Sequence, residues 1–271
     1  MKQTMQNIHD KKPLVHCITN YVTVNDCANI ILAAGGTPTM AHDIREVEEI
    51  VSIASALVLN LGTVGDIDAM VAAGKRANAL GKPIVLDPVA AGASRLRTES
   101  CARILKDLKL SVIRGNISEI KALATGHADI RGVDAGAKDA VTEENLDAVC
   151  QMAQDFAKAN GAVIAISGRL DIIADADRIC VIANGCPEMA QITGSGCMLT
   201  ALIGTFAGAQ SDDVYSATVQ AVSAMGLCGE LAREKMLANH AGTGSFRTYL
   251  IDAMSLLTDQ QLERGQRIEN R

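Results

Sequence analysis

Aromatic residues are scarce in this sequence: three Tyr, three Phe and no Trp occur among 271 residues. Proteins that bind single-stranded nucleic acid stack bases on aromatic side chains, and this chain offers few of them. Basic residues are also in the minority, with 25 Lys and Arg against 31 Asp and Glu, a net charge of −6. A basic face is the usual electrostatic footprint of nucleic-acid binding. The sequence therefore predicts no nucleic-acid partner.

The sequence also lacks the patterns of zinc binding, secretion and membrane insertion. Its eight cysteines form no C-x-x-C pair, which argues against a zinc site or a thioredoxin-like motif. Residues 1–12 are polar and contain no apolar signal region. The uncharged stretch 189–211 is interrupted by polar residues and glycines, so its apolar part, 197–208, is well short of the ~20 residues that span a bilayer. We expect a cytoplasmic protein with no membrane partner and mostly buried, reduced cysteines.

Short apolar runs alternate with longer segments of helical periodicity along most of the chain. This order is typical of strands joined by crossover helices, and it predicts a mostly parallel sheet. The predicted strands are 14–18, 56–60, 83–87, 112–114, 162–167, 171–174 and 178–183. Because the last two lie only a few residues apart, we expect them to form a hairpin at one edge of the sheet.

The segments between the strands predict helices over 66–80, 143–160, 197–208 and 213–238, the last as one long or two short helices. Asp66 can cap the first of these, and Gly81 and Gly161 follow the ends of the first two. No linker composition and no fixed repeat interrupt the chain. The sequence therefore predicts a single domain over 1–271 with a three-layer α/β architecture, helices covering both faces of the sheet.

A glycine-rich segment precedes the apolar helix predicted near residue 197. It reads Thr193, Gly194, Ser195, Gly196 and Cys197. Glycines let backbone amides turn inward, and free amides at a helix start, aligned with its dipole, bind anions such as phosphate. A tight turn uses the same glycines, so this alternative stays open for the segment alone.

Cys197 is the one cysteine that follows a glycine loop. A thiol at a helix N-terminus can have its pKa lowered to ~3.5–7.5, far enough to act as a base or nucleophile. Whether the Cys197 thiol is ionised depends on burial and dipole geometry that the sequence does not give. For the other cysteines we expect ordinary buried packing.

Two further groups of polar residues follow predicted strands. Asp87 ends the strand 83–87, and Arg114 ends the strand 112–114 with Glu119 five residues later. Mg²⁺ in proteins is held by one or two carboxylates together with waters and substrate phosphates, which Asp87 and Glu119 can supply. Each acid is alternatively a residue at a helix start, where negative charge is favoured. A cation, a metal site and an anion pocket together favour phosphoryl transfer.

The N-terminal third offers residues for the acceptor substrate. Asn20 follows the first strand and can hydrogen-bond a heterocycle, and Met40 can supply an adaptable apolar contact or simply belong to the core. We expect His16 to be structural. A P-loop enzyme is excluded because no G-x-x-x-x-G-K-[ST] segment occurs, and no G-x-G-x-x-G follows the first strand, so a dinucleotide enzyme is poorly supported.

Taken in order, these motifs resemble the hydroxyethylthiazole kinase family, a thiamine-pathway branch of the ribokinase-like superfamily. The segments that carry the resemblance are 13–16, 18–20, 38–41, 59–63, 87–89, 114–116 with Glu119, 132–136 and 193–197. The resemblance implies a ribokinase-like fold and ATP-dependent phosphorylation of the primary hydroxyl of 4-methyl-5-(2-hydroxyethyl)thiazole. Met40, Gly194 and Asn20 would then lie on the substrate side.

The resemblance also implies ATP contacts from Arg114 and Ser167, and Mg²⁺ held by Asp87 and Glu119. Cys197 would stand where most of the superfamily has a catalytic Asp, with Gly194, Ser195 and Gly196 neutralising the developing charge. The resemblance further implies a homotrimer with active sites between the subunits. This sequence departs from the family pattern at two positions, with Ala90 where Gly is usual and Ser167 where Thr is common.

Two alternatives remain at this level. One is another ribokinase-like kinase, such as one acting on hydroxymethylpyrimidine, although such enzymes typically keep Asp at the position of Cys197. The other is a non-catalytic sensor of thiazole or nucleotide. A sensor has no need of metal carboxylates, so Asp87 and Glu119 argue against it.

Overall fold

A computed structural model describes residues 4–125 and 141–271 of the chain. One of the motif segments quoted above, 132–136, lies outside the described residues. Within the described ranges, no helix is long and apolar enough to cross a membrane.

The described residues contain nine strands: β1 Leu14–Ile18, β2 Thr37–Thr39, β3 Ala56–Asn60, β4 Ile84–Asp87, β5 Val112–Asn116, β6 Val163–Ser167, β7 Asp171–Ala174, β8 Ile179–Ile182 and β9 Ile268–Asn270. They form one sheet in the order β2-β1-β3-β4-β5-β6-β7-β8-β9. The strands from β2 to β6 run parallel, and β7, β8 and β9 are antiparallel to their neighbours.

All seven predicted strands are present, and two short ones were missed. The missed strands, Thr37–Thr39 and Ile268–Asn270, have three residues each and no alternating pattern to reveal them. The predicted hairpin of β7 and β8 is confirmed, but its place at the edge is wrong. The C-terminal strand β9 pairs with the outer side of β8 and forms that edge instead.

Helices cover the sheet on both faces. The helices in the described residues are α1 Thr4–Lys11, α2 Val24–Ala33, α3 Val47–Ile53, α4 Ile67–Ala79, α5 Arg95–Asp107, α6 Ile117–Thr125, α7 Leu146–Asn160, α8 Ser195–Ala209, α9 Val214–Ala238, α10 Thr243–Leu256 and α11 Asp259–Gly265. A short 3-10 helix, Pro187–Gln191, precedes α8. The four predicted helices correspond to α4, α7, α8 and α9.

Only some of the capping residues predicted from the sequence make the expected contacts at the helix ends. Gly161 adopts a left-handed φ of 62° and closes α7, as its position predicts. Asp66 occupies the N-cap position of α4 but makes no side-chain cap bond. The segment 213–238 forms one helix, and the Asp213 side chain accepts a hydrogen bond from the backbone N–H of Ser216.

Two apolar layers hold the three-layer structure together. On β3, Val58 packs into the layer shared with α1, α2 and α8 to α11, while Leu57 and Leu59 pack into the layer shared with α3 to α7. Alternate side chains of a strand point to opposite faces, so both faces of the sheet are buried. The predicted architecture, a mostly parallel sheet between two helical layers, is confirmed.

The uncharged helix α8 lies against the centre of the sheet because a glycine allows close approach. A Cβ atom on Gly204 would lie 2.5 Å from Val58 Cγ2 and 3.3 Å from Val15 Cγ1. Both valines belong to strands that cannot move without disturbing their neighbours. The backbone of α8 therefore packs directly on β1 and β3, which fixes where its N-terminus lies.

We expect Gly204→Ala to lower the free energy of unfolding by about 1–3 kcal/mol, because overpacking a core forces neighbouring atoms to shift. The matched control is Gly244→Ala in the first turn of α10, where an added Cβ meets nothing within 4 Å. That control should keep or gain stability, since Ala favours a helix by about 1 kcal/mol over Gly. Urea unfolding measures both; equal stability of the two variants would contradict the close approach.

Candidate active site at the carboxyl ends of the strands

The parallel strands deliver polar side chains to one edge of the sheet. Asn60 ends β3, Asp87 ends β4 and Ser167 ends β6, and Arg114 lies within the last part of β5. In the sheet register Asn60 is the neighbour of Asp87, and Asn116 is the neighbour of Ser167. The strand ends thus gather residues that are far apart in the sequence at the place where ligands bind in such folds.

The glycine-rich segment forms the start of α8. Gly194 is the N-cap residue with a left-handed φ of 87°, and its carbonyl accepts the first helical bond, from Met198 N at 2.8 Å. A Cβ at Gly194 would also lie 2.9 Å from Thr23 Cγ2. The next residues, Ser195, Gly196 and Cys197, are half-buried in the first turn. Amides there have no partner within the helix, so the segment presents donors to an anion.

Arg114 brings a positive charge to this helix start. A Cβ on Gly196 would lie 2.6 Å from Arg114 Nη1, so glycine makes room for the guanidinium. Nη1 lies 3.6 Å from Asp87 Oδ2, and Nη2 donates to Ser167 Oγ. The Nε atom is buried and has no hydrogen-bond partner among the described residues. The two residues expected to contact ATP, Arg114 and Ser167, therefore contact each other beside the anion pocket.

Asp87 is almost completely buried, with 1% of its surface exposed. Its Oδ2 atom accepts hydrogen bonds from Thr200 Oγ1 at 2.7 Å and Asn60 Nδ2 at 2.9 Å. Burial raises the pKa of Asp87, and the nearby Arg114 charge opposes that rise. The other oxygen, Oδ1, is buried without a hydrogen-bond partner in the described part of the chain. Asp87 thus keeps one oxygen unused by the protein.

Glu119 forms the cap of α6. Its Oε2 accepts from Asn116 N at 2.7 Å, while its own N–H donates to Asn116 Oδ1 at 2.9 Å, the reciprocal pattern of a capping box. Its Oε1 accepts from Ala90 N at 2.8 Å. Burial and the charge of Asp87 raise the pKa of Glu119 to about 7, although Arg114 and the two amides oppose this. Glu119 therefore does act as a residue at a helix start, the alternative that the sequence left open for it.

The carboxylates fit a metal ion unequally. No cluster of three or more His, Cys, Asp or Glu that could hold a metal occurs in residues 4–125 and 141–271. Mg²⁺ needs only one or two carboxylates beside waters and phosphates. Asp87 fits that requirement through its unpartnered Oδ1, whereas both oxygens of Glu119 already accept backbone amides.

Ala90 adopts a left-handed φ of 56° in the turn after β4. This is the position where the family pattern has Gly, and the left-handed region is the one that glycine enters without strain. The departure noted in the sequence therefore falls on a backbone conformation that does favour glycine. The amide of Ala90 is fixed by its bond to Glu119.

The Cys197 thiol lies between two side-chain amides. Asn60 Nδ2 is 3.3 Å and Asn20 Nδ2 is 3.5 Å from its sulfur. Burial raises the pKa of Cys197, and the charge of Asp87 adds to the rise; hydrogen bonds from Thr23 and Asn60 oppose it. Desolvation of the thiol therefore outweighs the effect of its place at a helix start. Cys197 is a neutral thiol at pH 7.

Asn20 and Met40 occupy different surroundings. The Asn20 side-chain oxygen accepts from Val22 N at 3.0 Å and Thr23 N at 3.1 Å, which caps the chain before α2. Its Nδ2 donates to Asn60 Oδ1 at 2.9 Å, so the amide also orders the site. Met40 is half-buried and packs against the α8 side of the core. Its contact with a substrate stays a prediction.

His16 is structural, as expected. It is buried in β1, and its Nε2 donates to the Ala41 carbonyl at 2.7 Å, which ties β1 to the chain after β2. Burial lowers the pKa of His16, which keeps the ring neutral. Of the other cysteines, Cys186 is half-buried and the rest are buried and free, which matches the predicted packing role.

Two site residues were not singled out from the sequence. Asn60 contacts Asp87, Cys197 and Asn20, and Thr200 donates to Asp87. Asn60 ends a predicted strand, the same signal that identified Asp87, and the segment 59–63 belongs to the resemblance. Thr200 lies one helical turn after Gly196 and carries no signal of its own, because its role depends on how α8 docks.

The fold is that of ribokinase-like proteins. The described chain has a TM-score of 0.57 to a ribokinase-like superfamily protein from Enterococcus faecalis, with 13% identity, covering 93% of this chain and 89% of that one. At this identity the likeness shows the fold. The predicted ribokinase-like architecture is confirmed.

The chain belongs to the hydroxyethylthiazole kinase family, whose model matches residues 5–260. It is 48% identical to the hydroxyethylthiazole kinase of Clostridium acetobutylicum over 272 residues, covering 100% of this chain and 99% of that protein. A solved structure of hydroxyethylthiazole kinase protein from Pyrococcus horikoshii has a TM-score of 0.87 and 32% identity, covering 99% of this chain and 97% of that one. The resemblance drawn from the motifs is confirmed.

We expect the alkylation of Cys197 by iodoacetamide to be slow at pH 7 and to rise with pH up to and beyond pH 9. The thiolate is the reactive form, and burial moves its pKa above the ordinary value of 9.0. Mass spectrometry of the modified peptide measures the rate at each pH. A rate that is already at its plateau near pH 7 would show a lowered pKa and contradict this account.

Proposed function

We propose that this protein transfers the γ-phosphoryl group of ATP to the primary hydroxyl of 4-methyl-5-(2-hydroxyethyl)thiazole in thiamine biosynthesis and salvage. The observation that carries the proposal is the family match over residues 5–260. The convergence of Arg114, Asp87 and the α8 N-terminus at the strand ends supports it. Those groups neutralise charge and fix position, which is most of what phosphoryl transfer needs.

The amides of Ser195, Gly196 and Cys197 and the guanidinium of Arg114 would receive the transferred phosphoryl group. The guanidinium of Arg114, on β5, lies against Gly196 in the first turn of α8, where an added Cβ atom would be only 2.6 Å from Nη1. A positive side chain and a helix start act in the same direction on a developing negative charge. Ser167 would orient Arg114 and reach the nucleotide.

Cys197 would orient the substrate hydroxyl for in-line attack on the γ-phosphorus. With its pKa raised, the thiol is neutral and a weak base. A loose transition state needs little removal of the hydroxyl proton before the phosphorus is reached. Position, rather than proton abstraction, is then the main contribution of Cys197.

Asp87 is the residue we assign to Mg²⁺, through its unpartnered Oδ1. Glu119 would act beside it, chiefly by holding the Ala90 amide and the start of α6. When bound with ATP, the ion supplies neutralisation of the phosphate oxygens.

On the substrate side, Gly194 and Met40 would contact the thiazole, and Asn20 would act through its hold on Cys197 and Asn60. Tyr21 and Val22 directly follow Asn20 and are 79% and 60% exposed in the single chain. Apolar exposure next to a site is typical of a surface that a partner covers. This exposure supports a homotrimer with sites between subunits. The family membership supports a single-domain kinase that acts in the cytoplasm.

No specific observation favours either of the two alternatives, a kinase of another substrate or a sensor without turnover. A hydroxymethylpyrimidine kinase would share the fold, but Cys197 stands where such enzymes typically have Asp. A sensor without turnover would not need the buried carboxylate of Asp87 beside a phosphate pocket. Both are separated from the proposed function by one assay.

We expect the purified protein to release ADP from ATP with Mg²⁺ only when hydroxyethylthiazole is added. A coupled ADP assay measures the rate with hydroxyethylthiazole, with hydroxymethylpyrimidine and without acceptor. Turnover with the pyrimidine alone would overturn the substrate. Thiazole binding by calorimetry with no ADP formed would overturn the kinase assignment in favour of a sensor.

We expect Cys197→Ala to lower kcat by about 10- to 100-fold without abolishing turnover. This loss is smaller than most of the roughly 10²- to 10⁴-fold contribution of a general acid or base. The thiol orients the hydroxyl but is too weak a base to be indispensable. The control is Cys186→Ala, a half-buried cysteine whose thiol contacts the Gly229 carbonyl. Its kcat should match the wild type. Complete loss of turnover in a folded Cys197→Ala protein would refute the weak-base role.

A further inference from the structure

Asn60 joins the two chemically different halves of the site. We propose that Asn60 is a positioning residue that holds the Cys197 sulfur and the Asp87 carboxylate at a fixed separation through the two hydrogens of one amide group. This inference rests on the proposed function and deepens it, since it names what aligns the hydroxyl side with the phosphate side.

The contacts of the Asn60 nitrogen carry the proposal. Nδ2 lies 2.9 Å from Asp87 Oδ2 and 3.3 Å from Cys197 Sγ. An amide nitrogen has two hydrogens, so each contact can receive one. Asn60 is 1% exposed, and water does not compete for these bonds. One planar group therefore ties together residues from β4 and α8.

The orientation of the amide is itself determined by its oxygen. Oδ1 accepts from the backbone N–H of Gly62 at 2.8 Å and from Asn20 Nδ2 at 2.9 Å. A backbone N–H can only donate, so the oxygen must face Gly62 and the nitrogen must face Cys197 and Asp87. All four hydrogen-bonding positions are used, and rotation of the amide would break every bond at once.

The position on the sheet adds rigidity. Asn60 is the last residue of β3 and the register neighbour of Asp87 on β4. A group fixed on a central strand holds its partners more accurately than a group on a loop. Misplacement by about 1 Å can cost on the order of 10²-fold in rate when a reaction depends on alignment.

Thr200 provides a comparison for Asn60, because it also donates a hydrogen bond to the Asp87 carboxylate but does not connect that carboxylate to Cys197. Its Oγ1 donates to the same Asp87 Oδ2 at 2.7 Å and also lies 3.2 Å from the Gly196 carbonyl. Among the described residues, it makes no hydrogen bond to the Cys197 sulfur. Removing the Thr200 hydroxyl deletes a bond to Asp87 but leaves the link between Asp87 and Cys197 intact.

The test measures kcat and KM for two Asn60 variants, alone and together with Cys197→Ala. Asn60→Asp keeps the shape and loses the hydrogens; Asn60→Ser loses them without adding a charge. We expect each to lower kcat by about 10- to 100-fold, with KM for ATP changed less than threefold. In the Cys197→Ala background the same change should cost at least threefold less, because one of its two partners is gone.

Thr200→Val is the matched control, and its loss of kcat should be the same within twofold in both backgrounds. Equal losses for the Asn60 variants in both backgrounds, or a kcat within twofold of the wild type, would overturn the role of Asn60. Failure of both variants to fold would make Asn60 a structural residue and overturn it as well. Absent turnover by the wild-type protein would overturn the proposed function together with this role, so the two failures are distinguishable.

Discussion

The buried carboxylate of Asp87 is the constraint around which the site is arranged. A charge with 1% of its surface exposed is stable only when it is paired and hydrogen-bonded. Its partners come from three other elements: Asn60 from β3, Arg114 from β5 and Thr200 from α8. The strand register and the docking of α8 must therefore both be correct before the carboxylate is satisfied. The same contacts that stabilise the charge also bring Arg114 and the start of α8 side by side.

Much of the fold could be predicted because local pattern and tertiary structure agree. The strand 56–60 is apolar up to its final Asn, and the segment ending at Gly161 carries its own stop signal. The strands Thr37–Thr39 and Ile268–Asn270 have no such pattern, since three residues at a sheet edge need little burial. The hairpin was placed at the edge for that reason: nothing local indicates that the C-terminus returns to β8.

The candidate site was predictable in its residues and less so in its electrostatics. Asp87 and Arg114 were recognisable because strand ends meet at one edge of a parallel sheet, whereas Ser167 was implied only by the family resemblance. The direction of the Cys197 pKa shift could not be predicted, because a helix start is visible in the sequence whereas burial is not. The roles of Asn60 and Thr200 depend on distances between elements, which no local pattern records. Glu119 combines both cases, since its capping role is local whereas its raised pKa comes from burial and from the charge of Asp87.

The left-handed turn at Ala90 has a thermodynamic consequence that reaches beyond the folded state. A methyl group in this conformation costs about 1–2 kcal/mol of strain. The same methyl group reduces the number of conformations open to the unfolded chain, which returns about 0.4–1 kcal/mol compared with glycine. The strain is the larger of the two effects, so Ala at this position lowers the stability relative to Gly. The methyl group also narrows the range of backbone conformations of this turn, so the Ala90 amide that bonds Glu119 is held more rigidly than a glycine amide would be.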